Sequence, residues 1–442
     1  MATKKDLIEA QAFSRNRLLS AFIGGAPGGK ELEPAKPLRA VFGGIALTAM
    51  VILAGVFIGL LRPGLPGGWE NNRLVVARDT GARYVSVEGT LHPVINTVSA
   101  RVLIPADEFA VVSVNQSSLS GIPIGGTIGI LGGPDTLPAA GDLDGRNWLS
   151  CGTHENTEVW LGSQDRGAAQ AGSGTVVTRD GETFVIGDGV SYAVPAGQET
   201  AVLRAVGLES VRAQPVRGDW LALFDTGADL APLTAKEAGA RVAGQELPAG
   251  SVIHPTGSPE SERYLLTAEG ALAPLSPLAH RLYLLGDGGT GLGTPVDVSP
   301  AALAKLPTTE RAGGADWPED ALVPATVAGA PCATLAGPAG DQRTTLAKGS
   351  RSVAPTAPEA GGATVHVPEN VGALVRGGKT GSLVLIDSTG TAYQLPGGVG
   401  VNAKQLGYSG KDVTTVPAGW IRLLPAGPEL TPEAAGATPE SQ

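Results

Sequence analysis

Basic charge is scarce in this chain. Its 442 residues hold 32 Lys and Arg against 42 Asp and Glu, a formal net charge of −10. The first 40 residues carry seven of the bases (Lys4, Lys5, Arg15, Arg17, Lys30, Lys36 and Arg39) against four acids. That is +3, so the rest of the chain carries −13. Binding nucleic acid needs a basic face to neutralise phosphates, and so bulk an acidic surplus argues against nucleic acid as a partner. Aromatics are also few, at 4% of residues, and there are only two cysteines. The five histidines, His92, His154, His254, His280 and His366, lie far apart and show no metal-ligand spacing. No G-x-S-x-G elbow or locally supported Cys–His pair is present. The sequence therefore offers no catalytic set, no cofactor-binding set and no metal-binding set. What it has in quantity is turn formers, 64 Gly and 34 Pro, which favour short strands over long helices.

One stretch breaks that pattern. Val41 to Leu61, VFGGIALTAMVILAGVFIGLL, is 21 residues without a charge. As a helix it spans about 30 Å, the thickness of a bilayer's hydrocarbon core. A buried core helix of that length would carry a polar stripe, and a signal peptide has a shorter apolar core nearer the amino terminus. The run is read as a single transmembrane helix at 41–61. Lys30, Lys36 and Arg39 precede it, and Arg62 follows with no further base until Arg73. This bias places the amino terminus in the cytoplasm and the bulk of the chain outside the plasma membrane. Cys151 and Cys332 both fall in the exported part, where a disulfide persists. A bridge between them would close a loop of roughly 180 residues, worth about 5 kcal/mol by chain entropy. The plain alternative is two unrelated buried thiols.

Residues 1–40 read as a cytoplasmic amphipathic helix followed by a hinge. Asp6 is the expected N-cap, Gly24 and Gly25 the stop, and Leu18, Leu19, Phe22 and Ile23 the apolar stripe, suited to a partner or to the lipid bilayer. The hinge contains GGAPGGKE, Gly24 to Glu31, a near match to the phosphate loop G-x-x-x-x-G-K-[ST]. Three contexts spoil it. Glu31 takes the Mg²⁺-binding hydroxyl's place, a helix precedes it instead of a strand, and Pro34 and Pro37 stop the helix that should follow. A second motif, Asp225-Thr226-Gly227 within LALFDTGADLAP, looks like an aspartic-protease loop. Asp79-Thr80-Gly81 offers a second copy, and Leu284-Leu285-Gly286 imitates the supporting element. Asp-Thr-Gly is also an ordinary turn, which is the reading adopted here.

Four segments of the exported part share a pattern of strand, Gly turn, second strand and helix. They are RYVSVEGTLHPV (83–94), TFVIGDGVSYAV (183–194), RYLLTAEGALAPL (263–275) and LVLIDSTGTAYQL (383–395). Aligned on Gly89, Gly189, Gly270 and Gly390, each has an apolar residue five positions on: Val94, Val194, Leu275 and Leu395. The helices expected to follow are NTVSARVLI, QETAVLRAVGL, SPLAHRLYLL and VNAKQLGY. Each unit reads as a β-hairpin with a helix packed on it, and the four as a repeat. EFAVVSVNQ, DWLALFDTG and GWIRLLPAG are expected as further strands. Residues 335–363 are expected as a mobile surface loop, and 426–442, polar and Pro-rich, as a disordered tail.

QAFSRNRLLSAFIGGAPGGKELEPAKPLRA ahead of the span, then GARYVSVEGTLHPVINTVSARVLI after it, closely resemble the EccB family. WLSCGTH (148–154) and VPENVGALVRG (367–377) extend the match over nearly the whole chain. This family is the membrane-anchored core subunit of the type VII (ESX) secretion system of actinobacteria. The resemblance implies an α+β, β-rich fold: an N-terminal helix, a single transmembrane helix, and an elongated periplasmic domain over 62–425. That domain would hold a central β-rich core and four hairpin-plus-helix repeat lobes, with one disulfide in the core matching Cys151 and Cys332. It implies a structural role at the external face of a secretion complex. The implied partners are EccC (a motor ATPase), EccD, EccE and the mycosin protease, with self-association of the exported domains. The lobes are similar to a carbohydrate-binding phage lysin subunit, which leaves a wall-binding module as an alternative. The family is also labelled ATPase, which leaves a nucleotide hydrolase as another, although no residue here carries that label.

Overall fold

The computed structural model describes residues 3–24, 37–61, 65–162, 167–325, 329–349, 351–354, 362–397 and 403–439. It divides into two units, 1–65 with 117–119, and 66–116 with 120–442. The first unit holds two helices. In α1 (Lys4–Gly24) the cap is Thr3, one turn earlier than expected: its N–H and hydroxyl both donate to the Asp6 carboxylate, at 2.8 and 2.6 Å. Leu18, Leu19, Phe22 and Ile23 are all exposed on it. α2 (Pro37–Leu61) starts on a proline, which suits a first turn whose N–H groups have no intrahelical partner. At 25 residues it is about 37 Å long. Ala40–Phe57 within it is long and apolar enough to cross a membrane, and none of that window is buried by protein. The one hydroxyl of Ala40–Phe57, on Thr48, donates back to the Gly44 carbonyl and is thereby satisfied within the helix.

The second unit is built from sheets. The first comprises β1 (Arg73–Ala77), β2 (Arg83–Val87), β3 (Thr90–Pro93) and β4 (Ala110–Val114), with α3 (Thr97–Leu103) between the last two. Two strands of a central sheet follow, β5 (Leu149–Gly152) and β6 (Thr157–Trp160). The second sheet has β7 (Ser173–Arg179), β8 (Glu182–Gly187), β9 (Val190–Val194), helix α4 (Glu199–Val206), β10 (Gln214–Pro215), α5 (Gly218–Leu221) and β11 (Asp225–Thr226). The third has β12 (Val252–Pro255), β13 (Tyr264–Leu266), β14 (Leu272–Pro274), α6 (Pro277–Leu285), β15 (Val296–Val298) and α7 (Pro300–Leu303). β16 (Val323–Pro324) returns to β7. The chain then re-enters the central sheet with β17 (Cys332–Ala336), β18 (Arg343–Leu346) and β19 (Thr364–His366). The fourth peripheral sheet has β20 (Ala373–Gly377), β21 (Leu383–Ile386), β22 (Ala392–Leu395), β23 (Thr414–Val416) and α8 (Ala418–Arg422), followed by α9 (Pro432–Gly436).

Sheets one, three and four have the same order: β3-β2-β1-β4, β14-β13-β12-β15 and β22-β21-β20-β23. The second has β9-β8-β7-β10, extended by β11 beside β9 and β16 beside β7. In each, three antiparallel strands are followed by a fourth that lies parallel to the first. Gly89, Gly189, Gly270 and Gly390 all sit in turns at positive φ. At two of these turns the residue before, Glu88 or Asp188, is left-handed as well, as a two-residue hairpin with the strands' own twist demands. Val94, Val194, Leu275 and Leu395 are buried at the same place in their sheets.

Helices α3, α4 and α6 form where expected. Of the fourth expected helix, the described residues show a helical turn at 403–405, and residues 398–402 lie outside the described ones. EFAVVSVNQ yields β4. DWLALFDTG and GWIRLLPAG do not form the expected strands over their length: they make the helical turns α5 and α8, each carrying a buried indole, and only Asp225–Thr226 of the first is a strand, β11. Of 335–363, expected as a loop, the end of β17 and all of β18 are strands of the central sheet, and 350 and 355–361 lie outside the described residues. Residues 426–439 do not form the expected disordered tail. α9 packs on α3, with Leu430 and Ala435 fully buried, because Thr431 caps the helix and its small residues fit close to the α3 side chains.

Candidate functional site: the bridged central sheet

The order β18-β17-β5-β6-β19 joins strands that precede sheets two and three to strands that follow them. Cys151 and Cys332 stand directly opposite each other on β5 and β17 and are joined, 181 residues apart, with both side chains buried. Hydrophobic residues surround the bridge. Leu149 and Ala347 are buried beside it, and Trp160 and Val353 pack against the group.

Two indoles pin the neighbouring sheets to this centre. Trp220, on α5, is fully buried and donates its Nε1–H to the Ser150 carbonyl on β5 at 3.1 Å. A Cβ placed on Gly152 would lie 2.6 Å from that ring, so glycine is required by the closeness of the approach. Trp420, on α8, is equally buried and donates to the Thr344 hydroxyl on β18 at 2.9 Å. It also meets Trp148 edge to face, at 6.2 Å between centroids. Each indole thus buries a large apolar area and still satisfies its single donor. The core they share runs from Val159 and Ala333 in the centre to Ile186 in the second sheet and Val375 in the fourth.

At the β6–β19 end a polar cluster closes the sheet. Glu158 is buried; one carboxylate oxygen accepts from the Ala354 N–H at 2.6 Å and the other lies 3.1 Å from His366 Nε2. His366 stacks on one face of Trp160 at 5.0 Å, and the Arg351 guanidinium lies 4.3 Å from the ring's centroid. A buried carboxylate with both oxygens engaged is what burial of a charge requires.

The peripheral sheets pack in two pairs. Sheets two and three share a core in which Val202 and Val206 of α4 join Leu278 and Leu282 of α6. Sheets one and four share another, with Val98 and Val102 of α3 among Leu374, Leu385, Tyr393 and Leu430. Buried tyrosines hold the lobes and the segments between them by donating to carbonyls. Tyr192 reaches Asp316 at 2.6 Å, Tyr283 reaches Gly250 at 2.7 Å, and Tyr408 reaches Pro138 at 2.7 Å. Burial pushes the Tyr192 and Tyr283 hydroxyls up to about 12, so both remain donors at any ordinary pH.

The other sequence candidates are not assembled into a site. Asp79 lies between β1 and β2, where it accepts from the Gln116 N–H, while Asp225 is on β11 in another sheet. No paired-carboxylate arrangement links them. Leu284 and Leu285 are exposed at the end of α6 and support no loop. Lys30 and Glu31 lie outside the described residues. His92 meets the Gly126 carbonyl, His154 is exposed beside Glu155, and His254 pairs with Asp297 at 2.8 Å. His280 is buried between Arg263, at 3.3 Å, and the Gly293 carbonyl, at 2.7 Å. Among the described residues no three or more His, Cys, Asp or Glu side chains gather as a metal site would need. A groove of about 380 Å³ is lined by His154, Arg179, Arg217 and Asp219, with its Arg217–Asp219 pair already satisfied at 2.8 Å. Sequence reasoning missed the two pinning indoles. The available signal was their rarity: six Trp in a chain so poor in aromatics.

Among the described residues, the architecture defines a chain with one apolar helix of membrane length and a β-rich body of four peripheral sheets around a bridged centre. Its sequence matches the family profile "Type VII secretion system ESX-1, transport TM domain B" over residues 1–441, and the chain belongs to this EccB family. The relative named ESX-5 secretion system ATPase EccB5, from Mycobacterium marinum, is 27% identical over 314 residues, covering 66% of this chain and 61% of that protein. The chain thus matches only about three-fifths of the ESX-5 relatives' length. ESX-3 secretion system ATPase EccB3 of Mycolicibacterium smegmatis is 26% identical over 436 residues, covering 89% of this chain and 82% of the relative. Among solved structures, an intact ESX-5 inner membrane complex contains a chain similar at TM-score 0.65 and 22% identity, covering 99% of this chain and 95% of that one. The EccB3 dimer from the ESX-3 core complex matches at TM-score 0.64 and 22% identity, over 82% of this chain and 99% of that one.

Proposed function

We propose that this chain is a structural subunit of a type VII secretion complex of the inner membrane. α2 anchors it and the sheet body organises the complex's external face. The observation that carries this reading is the family match over 1–441, spanning both the apolar helix and the whole sheet body. In this reading the amino terminus is cytoplasmic and the body periplasmic, in line with the bases before α2. The four sheets are copies of one lobe, supported by their common strand order and buried position after the turn. The Cys151–Cys332 bridge holds the centre on which those lobes are mounted. EccC, EccD and EccE are the membrane subunits it works with, the mycosin protease meets its external face, and a second copy associates with its body. Removing the gene product should abolish both the assembled complex on native gels and secretion. Remaining subunits that stay assembled and secreting would sink the proposal.

Relatives carry ATPase in their printed names, which gives a nucleotide hydrolase as the second reading. Purified full-length chain should release phosphate from ATP no faster than buffer, and Lys30→Ala should leave secretion nearly unchanged. Turnover lost on that substitution would favour the hydrolase. Wall contact is tested separately, by retention on peptidoglycan.

A further inference from the structure

The outer strand of each peripheral sheet is a place where another strand could add. Three of the four are closed. In β10 the exposed position is Pro215, which has no N–H to give. In β15 the central residue is Asp297, a charge on the edge that pairs with His254. In β23 the outward Thr415 N–H already donates to the Ala339 carbonyl at 3.0 Å.

β4 has none of these devices. Its sequence, Ala110-Val111-Val112-Ser113-Val114, has no charge and no proline, and Val111 is 55% exposed. Its Val114 carbonyl accepts from the Arg78 N–H at 2.8 Å, which fixes the alternation of the parallel ladder to β1. Ala110, Val112 and Val114 therefore bond inward, and Val111 and Ser113 turn their N–H and C=O groups outward. Natural sheets rarely leave an uncharged, β-branched edge open unless something pairs with it.

We infer that β4 pairs antiparallel with β4 of a second copy, about a two-fold axis at Val112. The inference deepens the self-association proposed above and rests on it. The strand is complementary to itself in that arrangement. Val111 stands opposite Ser113 of the partner copy, and the two exchange both backbone hydrogen bonds, which the symmetry repeats to give four in all. Val112 faces its own counterpart at the closer, non-bonded position. Glu108 falls opposite an uncharged Gln116, so no like charges meet across the axis. A contact of this kind suits a body that carries a large negative charge elsewhere.

The test uses the full chain in detergent. Val112→Cys should give a disulfide-linked dimer under mild oxidation, since the native cysteines are already joined. Val111→Pro removes an outward donor without touching the ladder to β1, and should weaken dimerisation roughly tenfold or more. Val111→Lys should do the same through charge. A dimer that survives both edge variants and is not trapped by Val112→Cys overturns the β4 pairing and leaves self-association standing. A wild-type chain that stays monomeric at every concentration overturns both.

Discussion

Tryptophan 220 and tryptophan 420 each do two things at one position: they fill the core between a peripheral sheet and the centre, and they satisfy a donor there. Replacing either with Ala removes the largest side chain in its layer and should cost about 3–5 kcal/mol, read as a fall in melting temperature. Gly152→Val should also destabilise, by about 1–3 kcal/mol, because its side chain meets the Trp220 ring. The two histidines of the third sheet behave oppositely with pH. Burial is the main force holding His280 below its ordinary value of 6.5, with the neighbouring Arg263 charge acting the same way. The unfolded chain then takes up a proton that the folded one refuses. His280's contribution is present above pH 6.5 and is lost as pH falls through that value. His254 is raised, chiefly by its bond to Asp297, so its contribution is present below pH 6.5 and fades as pH rises through its folded value. Replacing His280 with Gln should therefore flatten the loss of melting temperature between neutral and mildly acid pH; an unchanged slope would contradict the assignment.

At the scale of elements, local chemistry was legible and distant pairing was not. The four turn glycines and the helices α3, α4 and α6 follow from patterns of ten or twenty residues, and the structure has them. α5 and α8 were missed because Trp-Leu-x-Leu and Trp-Ile-x-Leu satisfy a strand's composition as well as a helical turn's, and only the sheet beneath them decides. β17 (CATLA) and β18 (RTTL) were missed because Ala and Thr make up much of two very short runs. Small residues read as loop until a bridged partner strand fixes them in the core. The segment after 425 reads as solvated tail because its only large apolar residue is Leu430, and the pocket that accepts it comes from sheets one and four. The bridge belongs to this scale too. Cys151→Ser with Cys332→Ser should lower stability by about 2–5 kcal/mol, checked by denaturant unfolding. Because the bridge ties the two ends of the insertion carrying sheets two and three, sheets one and four should lose less than the inner pair. Hydrogen exchange resolved by segment measures that difference.

For the whole molecule, the order of parts is nested. Sheet one pairs with sheet four, sheet two pairs with sheet three, and the bridged centre is built from the strands at the boundary. The bridged centre is thus a hub that joins the inner and outer pairs of sheets, and its legibility in sequence was limited to the two cysteines. The pinning indoles, the Glu158 cluster and the pairing of outer sheets all depend on contacts between residues far apart in the chain, from 70 positions for Trp220 and Ser150 to 270 for Tyr408 and Pro138. Such contacts leave no local periodicity. A shortened chain ending before residue 426 should keep the inner pair of sheets and loosen the outer pair. Limited proteolysis would show this as new cuts within residues 66–135.

That nesting sets a timetable. A chain that emerges from its amino terminus makes α3 early, yet the face of Val98 and Val102 is not fully covered until the fourth sheet and then Leu430 and Ala435 appear. Tyr408 and Pro138 likewise meet across 270 residues. The first lobe must wait, half-dressed in apolar surface, while the inner pair folds and its cysteines join. In that interval it is the part of the molecule most in need of a chaperone, and slowing oxidation of the two thiols should prolong the wait.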